Sequence, residues 1–174
     1  YSQLNHYNSR GQLSAQTYPS GTVVNYGFDA IGRVNNITLQ TTDGDEKAIV
    51  DNVTYVAFGG AERIEYSNGV FQHSSFDLDG RLENISLNYG SDSLHNRDYV
   101  FDAANQITDI INHNDSSLSQ HYEYDELSRL IGAEGEFGEL EYQYDEVGNR
   151  LSRHWQLANG QVQLDENYQY ALTS

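Results

Sequence analysis

The sequence predicts an all-β chain, an antiparallel meander of β-hairpins, on three observations. First, aromatic residues recur two apart, at Tyr26/Phe28, Tyr99/Phe101, Tyr122/Tyr124, Tyr142/Tyr144 and Tyr168/Tyr170. A spacing of two puts both rings on one face of a strand, whereas on a helix they would point apart. Second, turn-forming residues return at the short, even intervals of an all-β chain, about every 10–12 residues. Third, no amphipathic stretch of helical length competes, and the single proline, Pro19, falls in a Pro-Ser-Gly turn.

One unit recurs: an aromatic, Asp, two residues, a Gly or small polar residue, a polar residue and an aliphatic. It reads Phe28-Asp29-Ala30-Ile31-Gly32-Arg33-Val34 and Phe76-Asp77-Leu78-Asp79-Gly80-Arg81-Leu82. It returns at Phe101-Asp102-Ala103-Ala104-Asn105-Gln106-Ile107 and at Tyr124-Asp125-Glu126-Leu127-Ser128-Arg129-Leu130. The last full copy, Tyr144-Asp145-Glu146-Val147-Gly148-Asn149-Arg150-Leu151, reads as one residue longer, and a partial copy opens the chain at Tyr7-Asn8-Ser9-Arg10-Gly11-Gln12-Leu13. From position 8 through the successive Asp residues the spacings are 21, 48, 25, 23 and 20. The 48 is two periods, with a degenerate copy near Tyr55-Val56-Ala57-Phe58-Gly59 that lacks the Asp. Tyr168-Gln169-Tyr170-Ala171 begins another. Residues 1–174 are thus expected to be one region of six to seven repeats, a fragment of a larger chain.

Each unit reads as a hairpin. The Asp sits where a strand ends, and its short carboxylate can accept from the N–H groups of the turn. The Gly, Asn or Ser three residues later suits the left-handed conformation, and the aliphatic starts the returning strand. A second class of turn falls between: Pro19-Ser20-Gly21, Asp43-Gly44, Ser67-Asn68-Gly69, Asn112–Ser117, Glu134–Gly138 and Ala158-Asn159-Gly160. The count is about 14 strands. Leu82 has the opposite parity to Ile85, Leu87 and Tyr89, and Val34 is offset in the same way from Ile37 and Leu39. The offset predicts either a turn that extends past the aliphatic or a bulge just after it. So many strands with moderate apolar content suggest a curved wall, since open sheets beyond about 10 strands curl or split.

Composition narrows the function. There are 9 Lys+Arg against 26 Asp+Glu, a formal charge of −17, and 37% hydrophobic residues. The 14 Tyr, 6 Phe and 1 Trp are too many for a disordered acidic tail, so the chain should fold around a thin core. Scattered basic residues argue against nucleic acid as a partner. No apolar run is long enough for a membrane span, and the absence of Cys removes disulfides and thiolate chemistry.

Tyr124-Asp125…Ser128-Arg129-Leu130 and Tyr142-Gln143-Tyr144-Asp145-Glu146-Val147-Gly148-Asn149-Arg150-Leu151 resemble the YD repeats of Rhs proteins. Tyr55-Val56-Ala57-Phe58-Gly59…Ser67-Asn68-Gly69-Val70 resembles another recurrent Rhs phrase. The same repeat occurs in the C component of insecticidal Tc toxins, in wall-associated bacterial proteins and in teneurins. The resemblance covers the whole sequence and implies a curved segment of a large spiral β-sheet shell. In the bacterial polymorphic toxins that shell holds a C-terminal toxic domain; in teneurins a similar shell serves adhesion. The implied partners are the remainder of the shell, an enclosed toxin domain and a secretion or delivery machinery; the implied location is secreted or at the bacterial cell surface. The family's self-cleaving, Asp-Pro-rich core motif is absent from these residues.

The acidic sets Asp77/Asp79/Glu83 and Asp43/Asp45/Glu46 read as turn carboxylates, because Gly80 and Arg81 fall at the wrong positions for a calcium loop. No H-E-x-x-H, G-x-S-x-G or P-loop occurs, so no enzyme, metal or cofactor is expected. Arg33, Arg81, Arg129 and Arg150 each lie near a turn Asp, which suggests an Arg–Asp pair across the turn. The structural repeat residues are therefore Phe28, Asp29, Gly32, Arg33, Phe76, Asp77, Gly80, Arg81, Phe101, Asp102, Tyr124, Asp125, Arg129, Tyr144, Asp145, Gly148 and Arg150. Two functions follow: an encapsulating module of a toxin-type shell, or an adhesion or carbohydrate-binding module whose Tyr rings and Arg side chains meet a glycan.

Overall fold

The structure, a computed structural model, describes residues 2–170 and divides into two compact units, the first ending at His95 and the second beginning at Asn96. The first unit carries β1 (Leu4–Tyr7), β2 (Leu13–Thr17), β3 (Val23–Phe28), β4 (Val34–Gln40), β5 (Glu46–Tyr55), β6 (Ala61–Tyr66), β7 (Val70–Phe76) and β8 (Leu82–Tyr89). Each pairs antiparallel with the next. Strand β9 (Asp92–Phe101) runs across the division. The second unit continues with β10 (Ile107–Asn112), a 3-10 turn at Ser116–Leu118, β11 (Gln120–Tyr124), β12 (Leu130–Gly135), β13 (Gly138–Tyr144), β14 (Arg150–Gln156) and β15 (Val162–Asn167). From β9 onward its strands again pair antiparallel in chain order. The fold is the all-β meander that the aromatic spacing predicts.

Fifteen strands are formed among the described residues, one more than the turn signals predict. The extra boundary is Gly90-Ser91 between β8 and β9, where Gly90 has φ 57°. A lone Gly at the first central position is the type II′ hairpin choice. Its Gly-Ser pair is a two-residue hairpin signal in its own right, one that the count of turns passes over. The expected further copy at Tyr168–Ala171 lies partly outside the described residues; Tyr168 and Tyr170 follow β15 as non-strand backbone.

The parity offset has a physical cause: a bulge. Phe76 pairs with Leu82, but Ser75 pairs with Asn84, so Glu83 is the extra residue. The same shift leaves Asn35 unpaired after Val34, Thr108 after Ile107, Ile131 after Leu130 and Leu151 after Arg150. Ser14 and Glu62 hold the same place in the first and the degenerate copies. Each insertion flips the aliphatic relative to the strand that follows it.

The core is thin. Val50 and Ala133 are the only apolar residues buried among those described, and no large side chain is fully enclosed. Stability must come from contacts within the sheet, between neighbouring strands. In the second unit the two faces differ in kind. Along β11 and β13 exposed His121, Glu123, Glu139, Glu141 and Gln143 alternate with half-buried Gln120, Tyr122, Tyr124, Leu140, Tyr142 and Tyr144. One face carries rings and the other carboxylates.

Candidate functional site

The site that the sequence singles out is the junction between one hairpin's Asp turn and the next. Within each turn the Asp N–H donates to the carbonyl four residues on, and the residue three on donates back to the Asp carbonyl. Asp29, Asp77, Asp102, Asp125 and Asp145 all do this, at 2.8–3.2 Å. The residue at the third position has positive φ in every case: Gly32 91°, Gly80 80°, Asn105 65°, Ser128 62° and Gly148 91°. A type I turn closed by one left-handed residue is a common three-residue hairpin loop, and Gly, Asn and small polar residues tolerate that position best.

The Asp side chain holds this loop in the same way each time. Its Oδ1 accepts from the backbone N–H two and four residues on, as Asp125 does from Leu127 at 2.9 Å and Arg129 at 3.0 Å. Its Oδ2 accepts from the side chain four residues on. The donor is Nε of Arg33 at 2.8 Å, of Arg81 at 2.7 Å and of Arg129 at 2.6 Å. It is Nε2 of Gln106 at 2.9 Å and Nδ2 of Asn149 at 2.8 Å. Backbone N–H donation from Arg33, Arg81 and Arg129, assisted by their guanidinium groups, holds the carboxyls of Asp29, Asp77 and Asp125 below the usual range. For Asp145 the Asn149 amide is the leading cause. A neutral amide therefore fills the same place as a cation, and a donor is what the geometry needs.

The last copy corrects one expectation. Arg150 does not pair with Asp145; Asn149 occupies that place, and Arg150 stands opposite Tyr144, where other copies have the aliphatic. This repeat is not longer, because Leu151 is its bulge residue. The Arg150 guanidinium lies instead 4.9 Å from the Tyr168 ring centroid and 5.8 Å from that of Tyr142.

The degenerate copy keeps the turn without its carboxylate. Val56 and Gly60 make the closing bond at 3.2 Å, but the positive φ moves to Phe58, at 59°. The two turn classes of the sequence are also not wholly distinct in backbone. Tyr18/Thr22, Thr41/Asp45 and Leu157/Gln161 make the same pair of turn bonds without an Asp at the first position.

Contacts between repeats are the feature that sequence reasoning missed. The Arg33 guanidinium lies 4.2 Å from the Tyr55 ring centroid, and Arg129 lies 4.8 Å from that of Tyr144. Each of these Tyr hydroxyls donates to the carbonyl of the residue that starts the preceding hairpin's return strand, Tyr55 to Val34 and Tyr144 to Leu130. Tyr124 to Ile107 and Tyr170 to Arg150 repeat that bond at 3.0 Å. Arg129 Nη1 also donates to the Asp145 carbonyl at 2.8 Å, and Gln12 Nε2 to the Gly32 carbonyl at 2.7 Å. The only sequence signal was the choice of Tyr over Phe before the turn: Phe28, Phe76 and Phe101 have no hydroxyl to donate.

Members of the two acidic sets have other partners. Asp79 Oδ2 lies 3.6 Å from Arg81 Nη2, and Glu46 accepts from the Thr38 hydroxyl at 2.6 Å. Among the described residues no group of three or more His, Asp or Glu side chains is arranged to hold a metal ion, and no helix is long and apolar enough to cross a membrane.

Two family models match the sequence: Teneurin YD-shell over residues 50–170 and RHS Repeat over residues 7–46. Comparison with curated proteins finds no match. Among solved structures, the Photorhabdus luminescens Tc holotoxin pore matches with a TM-score of 0.85 at 24% identity, covering 95% of this chain and 9% of that one. The crystal structure of TcdB2-TccC3 matches with the same TM-score and identity, covering 95% of this chain and 10% of the other. TcdB2-TccC3 without its hypervariable C-terminal region also matches at 0.85 and 24%, covering 95% and 9%. At that identity the likeness is one of fold, and the chain spans about a tenth of the length of these structures.

Proposed function

This chain belongs to the teneurin YD-shell family, and from that premise we propose that it is a stretch of wall in a bacterial toxin-type shell that sequesters a C-terminal toxic cargo. A structural shell module is what the family and the fold support; the cargo, secretion and the wider shell are the proposal. Residues 1–174 are on this reading one repeat region within a longer polypeptide.

The observation that carries the reading is the recurrence of one junction. Asp29, Asp77, Asp102, Asp125 and Asp145 fix the same loop, and the Arg and Tyr side chains around them tie consecutive hairpins together. Such a chain spends its side chains on continuity of the sheet, with little enclosed core. That is the property a barrier needs. An adhesion or glycan-binding role has less support, because guanidinium groups lie over Tyr55, Tyr144 and Tyr168 and occupy ring faces that a sugar would use.

Limited proteolysis of the full-length polypeptide that carries these residues tests the proposal. The expected result is a C-terminal segment protected in the native protein and digested once Asp29, Asp77 and Asp125 are replaced by Ala. A C-terminal segment cut equally fast in both would overturn it, and a glycan-array signal lost on Tyr142→Ala without unfolding would favour adhesion.

A further inference from the structure

On the face of the second unit opposite the rings, paired residues form two cross-strand rows. Asp109, His121, Glu134, Glu139 and Gln156 follow one another across β10 to β14. Glu123, Gly132, Glu141, His154 and Asp165 do so across β11 to β15. Glu134 stands directly opposite Glu139, a like-charge cross-strand pair of the kind that weakens a sheet. Arg97, Arg150 and Arg153 all share the ring face, through register with Asn112, Tyr144 and Tyr142. Arg129 lies in a turn over Tyr144. No Lys or Arg on a described strand of this unit therefore answers the carboxylates.

His121 is the one residue of the first row able to become a cation. Its Nδ1 lies 2.8 Å from Asp109 Oδ1 on β10, and its Nε2 lies 3.9 Å from Glu123 Oε1 on its own strand. Glu134 follows on β12 and Glu139 beyond it on β13. The hydrogen bond to Asp109, then the charges of Asp109, Glu123 and Glu134, hold the imidazole pKa above its ordinary value despite partial desolvation. Asp109, which also accepts from Thr108, is held low by the same imidazole.

We infer that His121 is an acid-responsive strut, which takes a proton under mildly acidic conditions and thereby tightens the carboxylate face of the second unit. The inference does not rest on the shell reading. The sign follows from linkage. A His whose folded pKa is raised contributes stability that is fully present below its unfolded value of ~6.5 and lost as pH rises through the folded value. The surrounding carboxylates stay ionised until pH falls toward ~4. His113 beside Asp98 and His154 beside Asp165 belong to the same unit, so a His121 variant is needed to isolate the share of this imidazole.

Thermal unfolding of the 174-residue chain from pH 8 to pH 6 at low ionic strength tests this, with an NMR titration of the His121 imidazole. The midpoint should rise by about 1–2 °C on acidification, a small step because the imidazole is half exposed to solvent. His121→Gln should remove much of that rise, Asp109→Asn should move the imidazole titration to lower pH, and high salt should shrink the effect. A midpoint that is flat or falls between pH 8 and pH 6 would overturn the inference. So would a rise undiminished in His121→Gln, or an imidazole titration that Asp109→Asn leaves unmoved.

Discussion

Arg129 serves two repeats at once: its Nε donates to Asp125 Oδ2 at 2.6 Å, while its guanidinium carbon lies 4.8 Å from the ring centroid of Tyr144. The first contact closes the loop of its own hairpin, and the second reaches the next. A side chain fixed by a short ion pair has lost its rotamer freedom before it meets the ring, so the stacking contact costs little further entropy.

Replacing Tyr144 by Phe removes only the hydroxyl that donates to the Leu130 carbonyl. The expected cost is about 1 kcal/mol, the usual net value of such a bond. Tyr144→Ala should cost more, because the ring under Arg129 goes too. Denaturant unfolding of both variants gives the comparison.

Gly148 has φ 91°, and a Cβ built on it would meet nothing within 4 Å. Gly148→Ala is thus a test of backbone conformation free of steric clash. It should destabilise by about 1–2 kcal/mol, the penalty for an L-residue in the left-handed region. Gly148→Asn, which copies the solution at Asn105, should cost less.

The last repeat distinguishes a donor from a charge. Asn149→Ala removes the amide that Asp145 accepts, whereas Arg150→Leu restores the aliphatic of other copies. The first should loosen the Asp145 turn, seen as faster hydrogen exchange at Val147 and Asn149. The second should leave those amides protected and lose only the contacts to Tyr168 and Tyr142.

The turn carboxylates set the acid limit. Asp29, Asp77, Asp125 and Asp145 are all held below the ordinary value by donors of their own loops. Their stabilisation is present above the unfolded value of ~3.9 and is lost as pH falls through the lower folded values. Thermal midpoints should therefore fall steeply below pH ~4. The Asp→Asn variants should be less stable at pH 7 and show a shallower acid limb.

Much of this was legible in the sequence. The aromatic pairs set strand parity, the Asp with its third-position Gly, Asn or Ser set the loop, and the clash of parity between Leu82 and Ile85 signalled the bulge at Glu83. All are local features, within reach of a few residues. The turn at Gly90-Ser91 is legible too, as a Gly-Ser hairpin pair, although it lacks the Asp and the preceding aromatic spacing of the repeat unit. The charge of Arg150 suggests an ion pair with Asp145, but register counted from Asp145 puts Asn149 in the donor's place. The contacts from Tyr55 to Val34 and from Arg129 to the Tyr144 ring join residues on different hairpins, and their one local mark is Tyr in place of Phe before the turn.

The most direct measurement is a double-mutant cycle on Arg129 and Tyr144, using Arg129→Met and Tyr144→Leu and equilibrium unfolding. Stitching of successive hairpins by cation–π contact predicts a favourable coupling of about 0.5–1 kcal/mol or more. Strictly additive losses would mean that the two side chains act independently, each supporting only its own hairpin, and would contradict the account.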